Sequence, residues 1–206
     1  MDPFAASADA SSIRDPIALG RATPGTIGMW AFLATDAMGF GGLLMSYAVL
    51  RVRAPIWPDP GVRFDRALAT ALTVLLLISG ATMTAAGAAL RAGRRGRASA
   101  LLVITAVLGT GFLLGQVAEF RALAVERHVG LAADHAASLF YVIAGYHGLH
   151  VLAGVIMLAV LATQTTRPAS APSGSLQVVS LYWQFVDLVW LVIFTVLYLI
   201  PTVSRG

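Results

Sequence analysis

Several side chains able to bond, ligate or carry a proton lie inside long apolar stretches of this 206-residue chain. They are Asp36, Gln116, Glu119, His147, His150 and Asp187, and Trp183 brings an indole N–H to the same kind of setting. Their spacing groups them. Gln116 and Glu119 stand at i, i+3; His147, His150 and Gly154 at i, i+3, i+7; and Trp183, Asp187 and Trp190 at i, i+4, i+7. Asp36 shares a helical face with Phe40, Leu43 and Tyr47. On a helix each set runs along one side. A charge at bilayer depth costs at least ~2.5–3.5 kcal/mol, so such groups face a protein interior, a cleft or a partner.

Four chemistries suit these residue types. His147 and His150 with Glu119 resemble half of a carboxylate-bridged metal site, but a complete one needs two Glu-x-x-His motifs and further carboxylates. Haem ligation within the membrane would draw histidines from facing helices; here one helix carries both, and His128 and His135 fall in a connecting loop. Intramembrane hydrolysis needs a Ser/His/acid order or a nucleophile elbow, and the sequence has neither. Ion or proton transport by the chain itself suits the carboxylates but not the lack of internal repeats and broken helices. The fourth reading is an internal hydrogen-bonded cluster that fixes helix register.

The elements that hold these residues follow from composition. Hydrophobic residues make up 58% of the chain and charged residues 12%, about half the ~25% charge of soluble domains. Mean hydropathy is +0.80. A soluble fold of this size cannot hide so much apolar surface, so lipid is the solvent. This excludes an ordinary soluble enzyme, a disordered tail and a nucleic-acid-binding module. The net charge is +4 and the isoelectric point about 10.1. All 14 basic residues are Arg, gathered mostly at the ends of apolar runs, where they reach headgroups. There is no Cys, so neither disulfide nor thiolate–metal chemistry is available.

Charge-poor runs predict five transmembrane helices over about 26–50, 67–90, 98–123, 137–163 and 176–200. The fold class is all-α, an integral membrane bundle occupying 26–201. Residues 1–25 read as a flexible N-terminal arm without a cleavable signal. With the N-terminus cytoplasmic, seven Arg fall inside and seven outside. The dense Arg91–Arg97 turn tips the balance toward N-terminus in, C-terminus out. Gly39, Gly41 and Gly42 in the first span, and Gly111 and Gly115 as GxxxG in the third, are candidates for close helix contact.

Four segments carry a family resemblance. GMWAFLATDAMGF (28–40), GFLLGQVAEF (111–120), FYVIAGYHGLHVLAG (140–154) and YWQFVDLVWLVIF (182–194) resemble subunit III of the haem–copper oxygen reductases. The chain is similar to the short, five-helix bacterial form. That resemblance implies an accessory subunit with no catalytic centre and no cofactor of its own, within a complex that reduces oxygen to water. Haem and copper belong to partner subunits. Subunit I is the direct partner, with subunit II and further small subunits nearby, in the bacterial plasma membrane. Phospholipid is expected in a cleft lined by His, Trp and Arg. Asp36, Gln116, Glu119, His147, His150, Trp183 and Asp187 are the residues expected to form the lipid and polar cluster and to support proton uptake and oxygen access. The family's usual Ser-Glu reads Thr35-Asp36 here, and the usual His of the closing motif is Gln184, which hydrogen-bonds but does not titrate. An accessory protein of a nitric oxide reductase system shares the helical pattern, and a free-standing haem protein is the rival of another class. The electron donor, cytochrome c or quinol, is decided on other subunits.

Overall fold

A proline opens the first helix, α1 (Pro24–Arg53), at a position where its missing N–H has no helical partner to lose. Asp65 then caps α2 (Arg66–Arg91), its carboxylate accepting from the backbone N–H groups of Ala67 and Leu68 at 3.0 Å. The end of α2 is equally well defined. Gly93 takes a left-handed φ of +74° and donates to the Leu90 carbonyl, while Arg94 N–H reaches back to Ala89. This is a Schellman closure, for which glycine carries no Cβ penalty. The helix α3 (Arg95–Arg121) follows at once and runs on as a π turn through Ala122–Glu126. Then come α4 (His135–Thr166) and α5 (Ser173–Phe194), the latter continued by a π turn over Thr195–Leu199.

The computed structural model describes residues 24–57, 64–126, 128–130, 135–167, 173–200 and 203–204. Among these residues, five helices are long and apolar enough to cross a membrane. Most extend a few residues past the charge-free windows, because the helix continues into the terminal Arg that anchor it at headgroup level. The expected arm over 1–25 lies outside the described residues except for Pro24 and Gly25, which begin α1. A short antiparallel pairing, β1 (Ile56–Trp57) with β2 (Val203–Ser204), joins the first loop to the chain's far end.

Helices α2, α3, α4 and α5 form a ring in which each packs on two neighbours, and α1 lies outside it against α4 and α5. Alternating directions place Arg91, Arg94, Arg95, Arg97 and Arg167 at one end, where Arg95 donates to the Arg167 carbonyl at 3.0 Å. Arg51, Arg53, Arg66 and Arg121 lie at the other end. Arg63, Arg127 and Arg205 fall outside the described residues.

The core is built around Trp183. Its ring lies between two glycines: a Cβ at Gly109 would stand 2.6 Å from it, and one at Gly154 2.7 Å. The expected glycine contacts are realised only in part. Gly115 presses on Leu72 and Gly39 meets the Tyr146 hydroxyl at 3.6 Å, while Gly111 makes ordinary contact and Gly41 and Gly42 face open space.

Candidate functional site

The outer helix is fastened by an acid. Asp36 stands on the buried face of α1 with Leu33, Phe40 and Tyr47. Its Oδ1 accepts from the Tyr146 hydroxyl at 2.8 Å and lies 3.1 Å from His150 Nε2. The other ring nitrogen, Nδ1, is 2.8 Å from the Tyr146 carbonyl, so one nitrogen of His150 addresses its own helix and the other addresses α1. Tyr182 of α5 donates to the His150 carbonyl at 3.0 Å. Phe40 packs on Tyr146 and His150 with ring centroids 4.8 and 5.3 Å away. Two helices thus meet at one carboxylate, and a third is tied to the same histidine through its carbonyl; among the described residues the second carboxylate oxygen, Oδ2, finds no partner.

His147, one turn earlier, behaves differently. It is completely buried, and neither ring nitrogen finds a partner among the described residues. Phe40, Phe112 and Trp190 surround it at centroid distances of 6.3, 5.6 and 5.2 Å. The i, i+3 spacing therefore does not converge the two imidazoles on a shared point: His150 joins the latch and His147 enters an aromatic cage.

Gln116 and Glu119 share a buried face of α3 but serve different neighbours. The amide of Gln116 donates to the Ala144 carbonyl of α4 at 2.6 Å. Glu119 accepts the Asp65 N–H on Oε1 at 3.3 Å and the Tyr198 hydroxyl on Oε2 at 2.8 Å. One carboxylate thereby joins the start of α2 to the end of α5, where the π turn carries the buried Tyr198. Glu119 is thus committed to α2 and α5, and the half metal site suggested by spacing is not assembled.

The third face, on α5, addresses α2. Trp183 donates its indole N–H to Ser79 Oγ at 3.1 Å and Trp190 donates to Thr73 Oγ1 at 2.9 Å. Between them lies Asp187, also buried; a Cβ on Gly80 would lie 2.6 Å from its Oδ2. Gln184, one turn earlier, donates to the Gly80 carbonyl and to Thr84 Oγ1 at 3.3 and 3.2 Å. This antiparallel ladder fixes the register of the two helices.

The seven expected residues therefore spread over several helix boundaries, with Asp36 and His150 meeting at one and Trp183 and Asp187 sharing another. His147 and Trp183 are 0% exposed, so neither of these two reaches the chain's surface. Sequence reasoning missed Tyr146, Tyr198, Asp65, Ser79 and Thr73. Each is common in membrane helices or loops, and only its partner marks it. The Asp65-Arg66-Ala67-Leu68 cap was the one legible signal among them.

Fold and site together define a multi-pass membrane scaffold whose buried acids mostly bond across helix boundaries within the chain. Comparison with known proteins sharpens that class. Residues 25–201 match the family model described as cytochrome c oxidase subunit III. The chain is 30% identical over 177 residues to "Cytochrome c oxidase subunit 3" of Thermostichus vulcanus, covering 84% of this chain and 86% of that one. It is 35% identical over 176 residues to "Cytochrome bo(3) ubiquinol oxidase subunit 3" of Pseudomonas aeruginosa, covering 84% and 83%. A "Probable cytochrome c oxidase subunit 3" of Mycobacterium tuberculosis is 33% identical over 185 residues, covering 88% and 91%. The chain belongs to the cytochrome c oxidase subunit III family of haem–copper terminal oxidases. It is a multi-pass protein of the bacterial inner membrane that associates with other oxidase subunits.

Proposed function

We propose that the chain is the non-redox accessory subunit of an aerobic terminal oxidase, seated on catalytic subunit I with subunit II and further small subunits nearby. Haem and copper reside in the partners. The chain stabilises the catalytic subunit and supports proton uptake and oxygen access. The observation that carries this reading is the use of buried polar groups: Asp36 and Glu119, two of the three acids conspicuous in the sequence, each join two or more helices through side-chain bonds. Such fastenings suit a rigid support, and the family match over 25–201 names the machine that it supports.

Two further features support the finer roles. The unpartnered Oδ2 of Asp36 leaves that carboxylate able to accept a hydrogen bond or a proton. A groove between α3 and α4 is walled by Val103, Val107 and Val155, with Ser99, Thr163 and Thr166 toward the Arg95–Arg167 end. The groove is mostly apolar at depth, where Thr110 spends its hydroxyl on the Ala106 carbonyl, and hydroxylated near fixed cations, which suits the acyl chain and headgroup of a phospholipid. With the Arg91–Arg97 turn on the cytoplasmic side, the N-terminus is cytoplasmic as well.

Isolation of the tagged chain from its native membranes tests the assignment. Co-isolation of a haem-bearing oxidase subunit is expected. An isolate with no oxidase subunit, or a chain that alone carries a Soret band, contradicts the reading.

A further inference from the structure

Stretches of this bundle's outer surface carry large aliphatic side chains, such as Leu114 on α3 and Leu149 and Ile156 on α4, each more than half exposed. The later half of α2 lacks them. Beyond Ile78, its exposed residues up to Arg91 are Ala81, Thr84, Ala85 and Ala88, all small. Beside this low ridge runs a groove walled by Gly80, Ala81 and Thr84 of α2 and by Gln184, Asp187 and Leu188 of α5. Gly80 and Asp187 lie near the midpoints of their helices, so this part of the groove sits near the bilayer centre.

The groove is polar where lipid is not. Gln184 is exposed, although its amide also bonds Gly80 and Thr84. Asp187 lines the groove while more than nine-tenths buried, and no described residue bonds its carboxylate, of which Oδ1 is the sealed oxygen. An acyl chain offers neither a donor nor an acceptor at this depth, and a phospholipid headgroup lies at the membrane surface. Leaving a carboxyl oxygen and an amide against hydrocarbon is costly. Small residues on one ridge, with polar side chains alongside, form the pattern through which membrane helices approach one another closely and bond.

We infer that the α2–α5 groove is the docking surface for a transmembrane helix of a partner oxidase subunit, a helix that presents a hydrogen-bond donor at mid-depth to Asp187 and Gln184. The inference rests on the accessory-subunit reading above and names the face that meets the complex. The ridge Ala81–Ala85–Ala88 lets the partner's backbone come close, and the midplane pair sets its register. The occupant is neither lipid nor a second copy of this chain.

Site-specific photo-cross-linking in native membranes tests this. A benzoylphenylalanine is placed in the full chain at Leu188 or Ala85, and as controls at Leu114 and Leu149. Adducts with another oxidase subunit from Leu188 and Ala85, and none from the controls, are expected. Lipid adducts alone, a cross-linked pair of this chain, or partner adducts only from the controls overturn the inference. Two variants add an independent readout. Asp187→Leu is expected to reduce co-isolated oxidase several-fold while Asp187→Asn retains it. Gln184→Leu, which also gives up its bonds to Gly80 and Thr84, is expected to reduce it as well, at an unchanged level of the variant chain in the membrane. Unchanged co-isolation in both leucine variants overturns the inference. If the unmodified tagged chain co-isolates no oxidase subunit, the accessory-subunit reading fails and takes this inference with it. If it does co-isolate the oxidase but the groove gives no partner adduct, only the groove inference fails.

Discussion

At the scale of single residues, Asp36 and Glu119 are fastenings, and loosening them has graded consequences. Asp36→Ala strands the Tyr146 hydroxyl and one nitrogen of His150 between helices. The expected loss is about 1–3 kcal/mol, read as a lower melting temperature of the purified protein; Asp36→Asn keeps an acceptor and is expected to lose less. Tyr198→Phe removes one bond to Glu119 while leaving the Asp65 N–H in place, and an effect near 1 kcal/mol is expected. His147 belongs to another class. Because no described residue bonds its ring, His147→Ala leaves a cavity inside an aromatic cage and strands no partner among them. The sequence made these residues visible, since each breaks a long apolar run. Their partners were harder to see, because a Tyr hydroxyl or a Thr in such a run is unremarkable until a facing helix places an acceptor beside it.

At the scale of elements, the five spans were legible because Arg clusters and prolines bound apolar runs of sufficient length. Which helix packs on which was not legible. Nothing in the apolar pattern says that α1 stands outside a ring of the other four, because a lipid-facing surface and a core surface are equally hydrophobic. Close contacts were only partly legible for the same reason. The GxxxG of α3 drew notice, yet Gly109 and Gly154 are the glycines that clasp Trp183. Gly154→Ala is therefore expected to push α4 and α5 apart at about 1–3 kcal/mol, whereas Gly41→Ala, facing open space, is expected to leave the melting temperature unchanged. Parallel melts of the two purified variants check the contrast.

At the scale of the whole molecule, the absence of Cys makes orientation easy to measure with single-cysteine variants. Arg94→Cys, in the basic turn after α2, is expected to be protected from an impermeant thiol reagent in intact cells. Gly130→Cys, beyond α3 at the opposite end, is expected to be labelled. The reverse pattern would invert the proposed topology. The lattice of inter-helix bonds also bears on what the molecule does for its complex. A bundle joined at Asp36, Glu119 and the Trp183–Trp190 ladder offers a rigid wall against which a neighbour can keep its own shape. The most direct measurement is the number of turnovers that the oxidase completes before inactivation, compared with and without this chain. The account expects depleted oxidase to retain its haem and its initial rate yet fail after fewer turnovers, with restoration on adding the chain back. Equal lifetimes, or loss of haem with the chain, would contradict it.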